Sequence, residues 1–69
     1  MNYKDLVIAK DGQGFDVLLN ADDNGGYVSC GEEVREIGAL TARALSAWKG
    51  APRMRILAKL FGYSDFTPA

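Results

Sequence analysis

Carboxylates are the side chains whose number and spacing could do chemistry in this sequence. Eight of the nine acidic residues lie within residues 1–36 beside only three bases, so the net charge of −1 conceals about −5 followed by about +4. Acidic groups collected in this way can ligate a cation or attract a basic partner. The residues that we assign to a partner-binding surface are Asp5, Asp16, Asp22, Asp23, Glu32, Glu33 and Glu36, with Tyr3 and Tyr27 as aromatic anchors.

Residues 20–25 resemble the beginning of a calcium-binding loop. Oxygen-bearing side chains stand at alternate positions, Asn20, Asp22 and Asn24, and the sixth position is Gly25. The first ligand would be a neutral amide, however, and the twelfth position, where a bidentate glutamate is needed, is Gly31. We therefore interpret the segment as a hairpin turn and expect no metal site.

The chain contains no histidine and one cysteine, Cys30. Without histidine it lacks the usual general base near neutral pH and any Ser-His or Cys-His nucleophile pair. A single cysteine cannot form an internal disulfide, and we expect Cys30 to be an inert core residue. These features predict a protein that is not an enzyme and has no cofactor or structural zinc.

The hydropathy of the chain and its first residues are informative about where in the cell the protein is located. No apolar run approaches the ~20 residues that span a bilayer. The first residues also lack the charged and then apolar layout of a signal peptide. Together with the single cysteine, these observations predict a cytoplasmic protein without membrane contact, folded as one domain over residues 1–69.

The elements that would position the acidic residues begin with a three-stranded antiparallel meander. Glycine-containing turns divide β-forming runs into strands at about 5–10, 15–22 and 27–30. Two-residue loops at Gly12-Gln13 and Asn24-Gly25 place Leu6 opposite Leu19 and Leu19 opposite Cys30. The predicted apolar face contains Leu6, Ile8, Phe15, Val17, Leu19, Ala21, Val28 and Cys30, and residues such as Ala9, Asp16 and Asn20 lie on the other face.

Two helices should follow and pack on the apolar face, which gives an α+β fold. The helical period predicts a long helix over about 32–49, with acidic residues in its first turn and Leu40, Leu45 and Trp48 in its apolar stripe. Gly50 would end this helix in a left-handed conformation. A short helix over about 52–61 would begin at Pro52 and end at Gly62.

The bases of the second half suggest an alternative site, because they could form a nucleic-acid-binding patch. They are Arg43, Lys49, Arg53, Arg55 and Lys59. Residues 53–64 are similar to the first helix and turn of a helix-turn-helix module, whose usual text is L-A-x-x-L-G-V-S. The recognition helix that should follow has only residues 65–69 available.

Within residues 5–48, a ββ meander is followed by Gly-Tyr-Val-Ser-Cys-Gly-Glu-Glu at 26–33 and by an alanine-rich helix. This layout resembles HicB-type antitoxins, in which a glycine-turn strand precedes a helix of similar length. That resemblance implies an antitoxin that masks a small ribonuclease, although a short helix replaces the expected last strand. In size, acidic sheet region and absence of catalytic groups, the chain also resembles small phage or mobile-element inhibitors of host defence. Those proteins include anti-CRISPR proteins that mimic DNA.

Three functional hypotheses follow. The first is a non-enzymatic inhibitor whose acidic face binds the basic nucleic-acid-binding site of a protein partner. The second is a small nucleic-acid-binding or antitoxin-like regulator that uses the basic helices. The third is a structural subunit of a phage or other oligomeric assembly, the isolated chain being a monomer or a weak homodimer.

Overall fold

The computed structural model describes residues 2–69, so that Met1, the first residue of the domain expected over 1–69, lies outside the described residues. A four-stranded antiparallel sheet is followed by two helices. The strands, adjacent in chain order, are β1 (Tyr3–Lys10), β2 (Asp16–Asp22), β3 (Gly25–Cys30) and β4 (Glu33–Ile37), and the helices are α1 (Ala39–Ala47) and α2 (Ala51–Phe61). The predicted α+β class, with an antiparallel sheet and two helices, is confirmed.

The predicted number of strands was wrong, because the start of the expected long helix is β4. Gly31 has a φ of 59°, and with Glu32 it forms a two-residue turn that returns the chain alongside β3. Val34 and Ile37, spaced three apart, also fit one side of the helix predicted over about 32–49. In the strand they lie on opposite faces of the sheet, and each is a β-branched residue that suits this conformation.

The two helices are accordingly similar in length, with nine residues in α1 and eleven in α2. The prediction that Leu40 and Trp48 cover the sheet was wrong, since their exposed fractions are 79% and 57%. Gly50 does not end α1, which stops at Ala47; it lies immediately before α2. Gly62 ends α2, as predicted, and it has a left-handed conformation.

The pairing of the first hairpin differs from the predicted pairing by a β-bulge. Leu6 pairs with Leu19 as expected, but an irregularity between Val7 and Ala9 places Ala9 opposite Val17. Ala9 is therefore buried, although we had assigned it to the other face. The connecting loop is the five residues 11–15, and within it Phe15 is 52% exposed instead of covered.

The second hairpin turns at Asp23 and Asn24, one residue earlier than expected. Asp22 therefore pairs with Gly25, and Leu19 pairs with Val28 instead of Cys30. A displacement of two residues keeps each side chain on its predicted face. The core thus retains most of the predicted apolar face, and α1 and α2 cover it with Ala42, Leu45, Leu57 and Phe61.

Candidate functional site

The β1–β2 loop, the β3–β4 turn and the C-terminal tail meet at one end of the sheet and form an open cleft of about 910 Å³. The β1–β2 loop is shaped by Asp11, whose Oδ1 accepts hydrogen bonds from the backbone N–H groups of Gln13 and Phe15, both at 2.9 Å. A short carboxylate that bonds the following amides is typical of a tight turn. The loop therefore holds Phe15 in its exposed position above the cleft.

The second oxygen of Asp11 connects this loop to β3. The Cys30 thiol donates to Asp11 Oδ2 with an Sγ–O distance of 3.3 Å. Desolvation is the largest influence on Cys30 and, with the bond to Asp11, raises the pKa of the thiol to about 11. Desolvation also acts to raise the pKa of Asp11, but the Cys30 thiol and three loop amides together lower it below its ordinary value. Neither group titrates near neutral pH.

The tail reaches the cleft through Tyr63 and Asp65. The Tyr63 hydroxyl donates to Glu33 Oε2 at 3.0 Å, and the Tyr63 ring stacks on Phe66 with a centroid separation of 5.1 Å. Desolvation and the contact with Glu33 raise the pKa of Tyr63 above its ordinary value. Backbone hydrogen bonds in both directions between Lys10 and Thr67 fix the tail beside β1.

Among the described residues, four carboxylates and no lysine or arginine line the cleft. They are Asp11, Glu32, Glu33 and Asp65. Phe15 and Tyr63 add aromatic surface to the same cleft. The nearest described cation to Glu33 is Arg35, whose Nη2 lies 3.4 Å from Glu33 Oε1. The arrangement can therefore attract a cationic group and also offer it apolar contact.

The structure divides the predicted partner-binding residues between separate places. Glu32 and Glu33 lie in the cleft, and Asp16 lies at the same end of the sheet in an ion pair with Lys10 at 3.2 Å. Asp22 and Asp23 lie at the opposite end, in the β2–β3 hairpin.

The remaining predicted residues lie along the sheet. Tyr27 and Glu36 pair across β3 and β4 on the face that the helices leave open. The backbone N–H of Asp5 donates to Asn20 Oδ1 at 2.9 Å in an irregular part of β1. Tyr3 and Glu33 belong to the helix-covered face, where the Tyr3 hydroxyl donates to Ser46 Oγ. The sequence predicts one continuous acidic face. Because these residues lie in separate places, that face is not formed.

Asp11, Phe15, Tyr63 and Asp65 are not among the residues that we assign from the sequence to the partner-binding surface. Asp11 belongs to the acidic residues of the strand region, and Gly12 is part of the predicted turn. Asp65 is brought next to Gly12 by the folded tail, since a Cβ atom at Gly12 would collide with the Asp65 carboxylate. A contact between residues more than fifty positions apart cannot be predicted from a local sequence pattern.

One of the predicted basic residues, Arg53, makes contacts within the fold. Arg43, Lys49, Arg55 and Lys59 are exposed, but Arg53 is half-buried and bonds the carbonyl oxygens of Ile8 and Ser46 at 2.9 and 3.1 Å. Desolvation lowers the pKa of Arg53. Arg53 thus ties α2 to β1 and to the end of α1.

Within residues 2–69, no group of three potential ligands among histidine, cysteine, aspartate and glutamate is arranged to hold a metal ion. The oxygens of the calcium-like segment have other partners, since Asn20 Oδ1 accepts from Asp5 and Asp22 Oδ1 accepts from Asn24. No described helix has the length and apolar character needed to cross a membrane.

Comparison with known proteins gives no match to a protein family, to a curated protein or to a solved structure.

Proposed function

We propose that this protein is a non-enzymatic binding module that presents its acidic cleft to a basic site on a partner protein. The observation that carries the proposal is the convergence of four carboxylates and two partly exposed aromatic rings in a cleft to which residues 2–69 contribute no cation. Long-range attraction between opposite charges speeds association, and buried aromatic contacts supply much of the binding energy. Phe15 and Tyr63 are the aromatic anchors in this proposal.

The partner site that fits best is a basic groove built to bind nucleic acid. Carboxylates can replace phosphates as partners of arginine and lysine, and aromatic rings can replace the faces of bases. The protein then acts as an inhibitor because it occupies the site that nucleic acid would use. The pKa of Cys30, about 11, and the lowered pKa of Asp11 support a binding role, since neither group can exchange protons readily at neutral pH.

A labelled deca-arginine peptide tests the proposed site. Binding at low salt should shift the backbone amide resonances of residues 11–15, Glu32 and Tyr63, and leave those of the β2–β3 turn in place. The double variant Glu32→Gln with Asp65→Asn should lose about tenfold in affinity, as expected for two surface ion pairs. Its matched control, Asp22→Asn with Glu36→Gln, removes the same charge elsewhere and should lose less than about twofold.

The inhibitory part of the proposal has its own measurement. The protein should release a labelled single-stranded oligonucleotide from the same peptide, and the cleft variant should do so less well than the control variant. Equal losses in the two double variants, or peptide binding centred on the β2–β3 turn, would contradict the cleft as the binding site.

The exposed Trp48 favours a second candidate function, direct binding of nucleic acid. Trp48 is followed in the chain by Lys49, which is also exposed, and aromatic stacking beside a cation is a common mode of single-strand binding. This candidate predicts retarded migration of single-stranded DNA or RNA, with affinity that falls steeply as salt rises and is lost in Trp48→Ala. Unchanged migration at low salt would exclude it.

A further inference from the structure

The two edges of the sheet are built differently. The β1 edge has two register irregularities, a residue with a φ of 51° at Asp5, and a backbone bridge from Lys10 to Thr67 of the tail. Such features prevent an edge strand from pairing with another chain. Among the described residues, the β4 edge has none of these features: its five residues pair with β3 in an uninterrupted register, and none has a positive φ or an isolated backbone bridge.

The two-residue turn between β3 and β4 determines which N–H and C=O groups of β4 point away from β3. Cys30 and Glu33 flank that turn and form its hydrogen-bonded pair, so the next pair, Ser29 and Val34, is not hydrogen-bonded. The N–H and C=O of Val34 therefore face outward, as do those of Glu36. One hydrogen bond agrees with this direction. The Val34 carbonyl oxygen accepts from the Arg35 side chain at 3.1 Å.

We propose that β4 pairs antiparallel with β4 of a second copy of this chain, about a two-fold axis at Val34. Val34, 53% exposed, would then lie opposite Val34 of the second copy on the open face of the sheet. On the other face Glu33 of each copy would lie opposite Arg35 of the other. Opposite charges at directly facing positions stabilise an antiparallel pair.

Charge favours this register over the symmetric registers centred on Arg35 or Glu36. An axis at Arg35 would place two guanidinium groups opposite each other, and an axis at Glu36 would do the same with two carboxylates. The groups that pair in the chosen register are already held in place. Arg35 lies over the Phe61 ring and bonds the Leu60 carbonyl oxygen at 3.2 Å, while Glu33 accepts from Tyr63. Pairing across the axis would replace the ion pair within one chain, in which Arg35 Nη2 lies 3.4 Å from Glu33 Oε1.

We expect the proposed dimer to be weak. Five residues of edge strand bury little surface compared with a stable dimer interface. The same register also brings Glu36 level with Glu32 of the second copy, which adds a repulsion. Because Glu33 belongs to the interface and to the cleft, the two clefts would border the two-fold axis.

Sedimentation equilibrium between about 10 µM and 1 mM tests the pairing without any basic partner. The mass should rise from 7.5 kDa toward twice that value as concentration increases. Val34→Lys, which places two like charges opposite each other, should remain at 7.5 kDa throughout. Val7→Lys is the matched control, since Val7 is a partly exposed valine in the same cross-strand row at the β1 edge, and it should associate like the original chain.

A cysteine cross-link tests the register directly. A hydrogen-bonded antiparallel pair has Cα atoms about 5.5 Å apart, within the range of a disulfide. Val34→Cys should therefore form a covalent dimer on mild oxidation, whereas Glu36→Cys, far from its counterpart in this register, should not. A mass of 7.5 kDa at every concentration, or equal cross-linking by the two variants, would overturn the proposal.

Discussion

The thiol of Cys30 and the carboxylate of Asp11 share one hydrogen bond, with 3.3 Å between Sγ and Oδ2. The bond joins the middle of the chain to the loop after β1 and favours a protonated thiol beside an ionised carboxylate. It contributes to the raised pKa of Cys30 and to the lowered pKa of Asp11. The contact thus stabilises the loop and adds to the desolvation that raises the pKa of the thiol.

Cys30 should react slowly with thiol reagents while the protein is folded. With its pKa raised from 9.0 to about 11, the thiolate fraction at pH 8 falls about a hundredfold. Alkylation by iodoacetamide should therefore be at least about a hundredfold slower in the folded protein than in 6 M guanidinium chloride. Mass spectrometry of timed aliquots measures both rates. Equal rates would mean that the thiol is neither buried nor bonded to Asp11.

The same thiol predicts a loss of stability at alkaline pH. Its folded pKa is higher than its unfolded pKa, so its contribution to the free energy of unfolding is complete below pH 9 and declines as pH rises toward about 11. Tyr63, whose pKa is also raised, adds to this decline above its ordinary value of 10.0. Urea unfolding at several pH values should show a smaller alkaline decline in Cys30→Ala than in the original chain.

The lowered pKa of Asp11 predicts a loss of stability at acidic pH. Because its folded pKa is lowered, its ionised form stabilises the fold above the ordinary value of 3.8, and this contribution is lost as pH falls through the folded pKa. Asp11→Asn should lower the melting temperature at pH 7 and weaken its dependence on pH below about 4. Asp22→Asn is the control, since Asp22 also accepts a turn N–H, at 2.8 Å from Asn24. An acid response unchanged by Asp11→Asn would contradict the loop contacts.

The sequence identified the faces of the first three strands better than their pairing. Period-two alternation specifies which side of the sheet is apolar, and the real register differs from the predicted one by a bulge and by a shift of two residues. The alternation cannot detect a two-residue shift because it leaves each face unchanged. The second helix was predicted closely, since Pro52 and Gly62 mark its two ends.

The fourth strand was missed because its pattern fits two structures. Val34 and Ile37 have helical spacing, and Glu32, Glu33 and Glu36 are suited to the first turn of a helix. The deciding contacts are distant in sequence, since Arg35 bonds Leu60 and Glu33 bonds Tyr63. The acidic cleft depends on the same long-range contacts of the tail, so local residue patterns could not reveal it.

Two leucines of the helices offer a matched test of packing. Leu57 in α2 is fully buried, whereas Leu40 in α1 is 79% exposed. Leu57→Ala should lower the free energy of unfolding by about 2–5 kcal/mol, because it removes transfer energy and leaves a cavity. Leu40→Ala should change it by less than about 0.5 kcal/mol. If urea unfolding gave comparable losses, α1 would have to cover the sheet through Leu40, as the helical period alone suggests.

Gly26 and Gly38 provide the sharpest test of the β2–β3 register. A Cβ atom at Gly26 would collide with backbone atoms of Asn20 and Ala21 in the neighbouring strand, whereas a Cβ at Gly38 meets nothing within 4 Å. Backbone atoms of a paired strand cannot move aside as a side chain does, so Gly26→Ala should destabilise the protein by about 3 kcal/mol or more. Gly38, before α1, has an extended conformation with a φ of −83°, and Gly38→Ala should cost less than about 1 kcal/mol. Thermal unfolding followed by circular dichroism compares the two variants. If both were tolerated equally, Gly26 would not lie opposite Ala21, and β3 would occupy the register that places Ala21 opposite Val28.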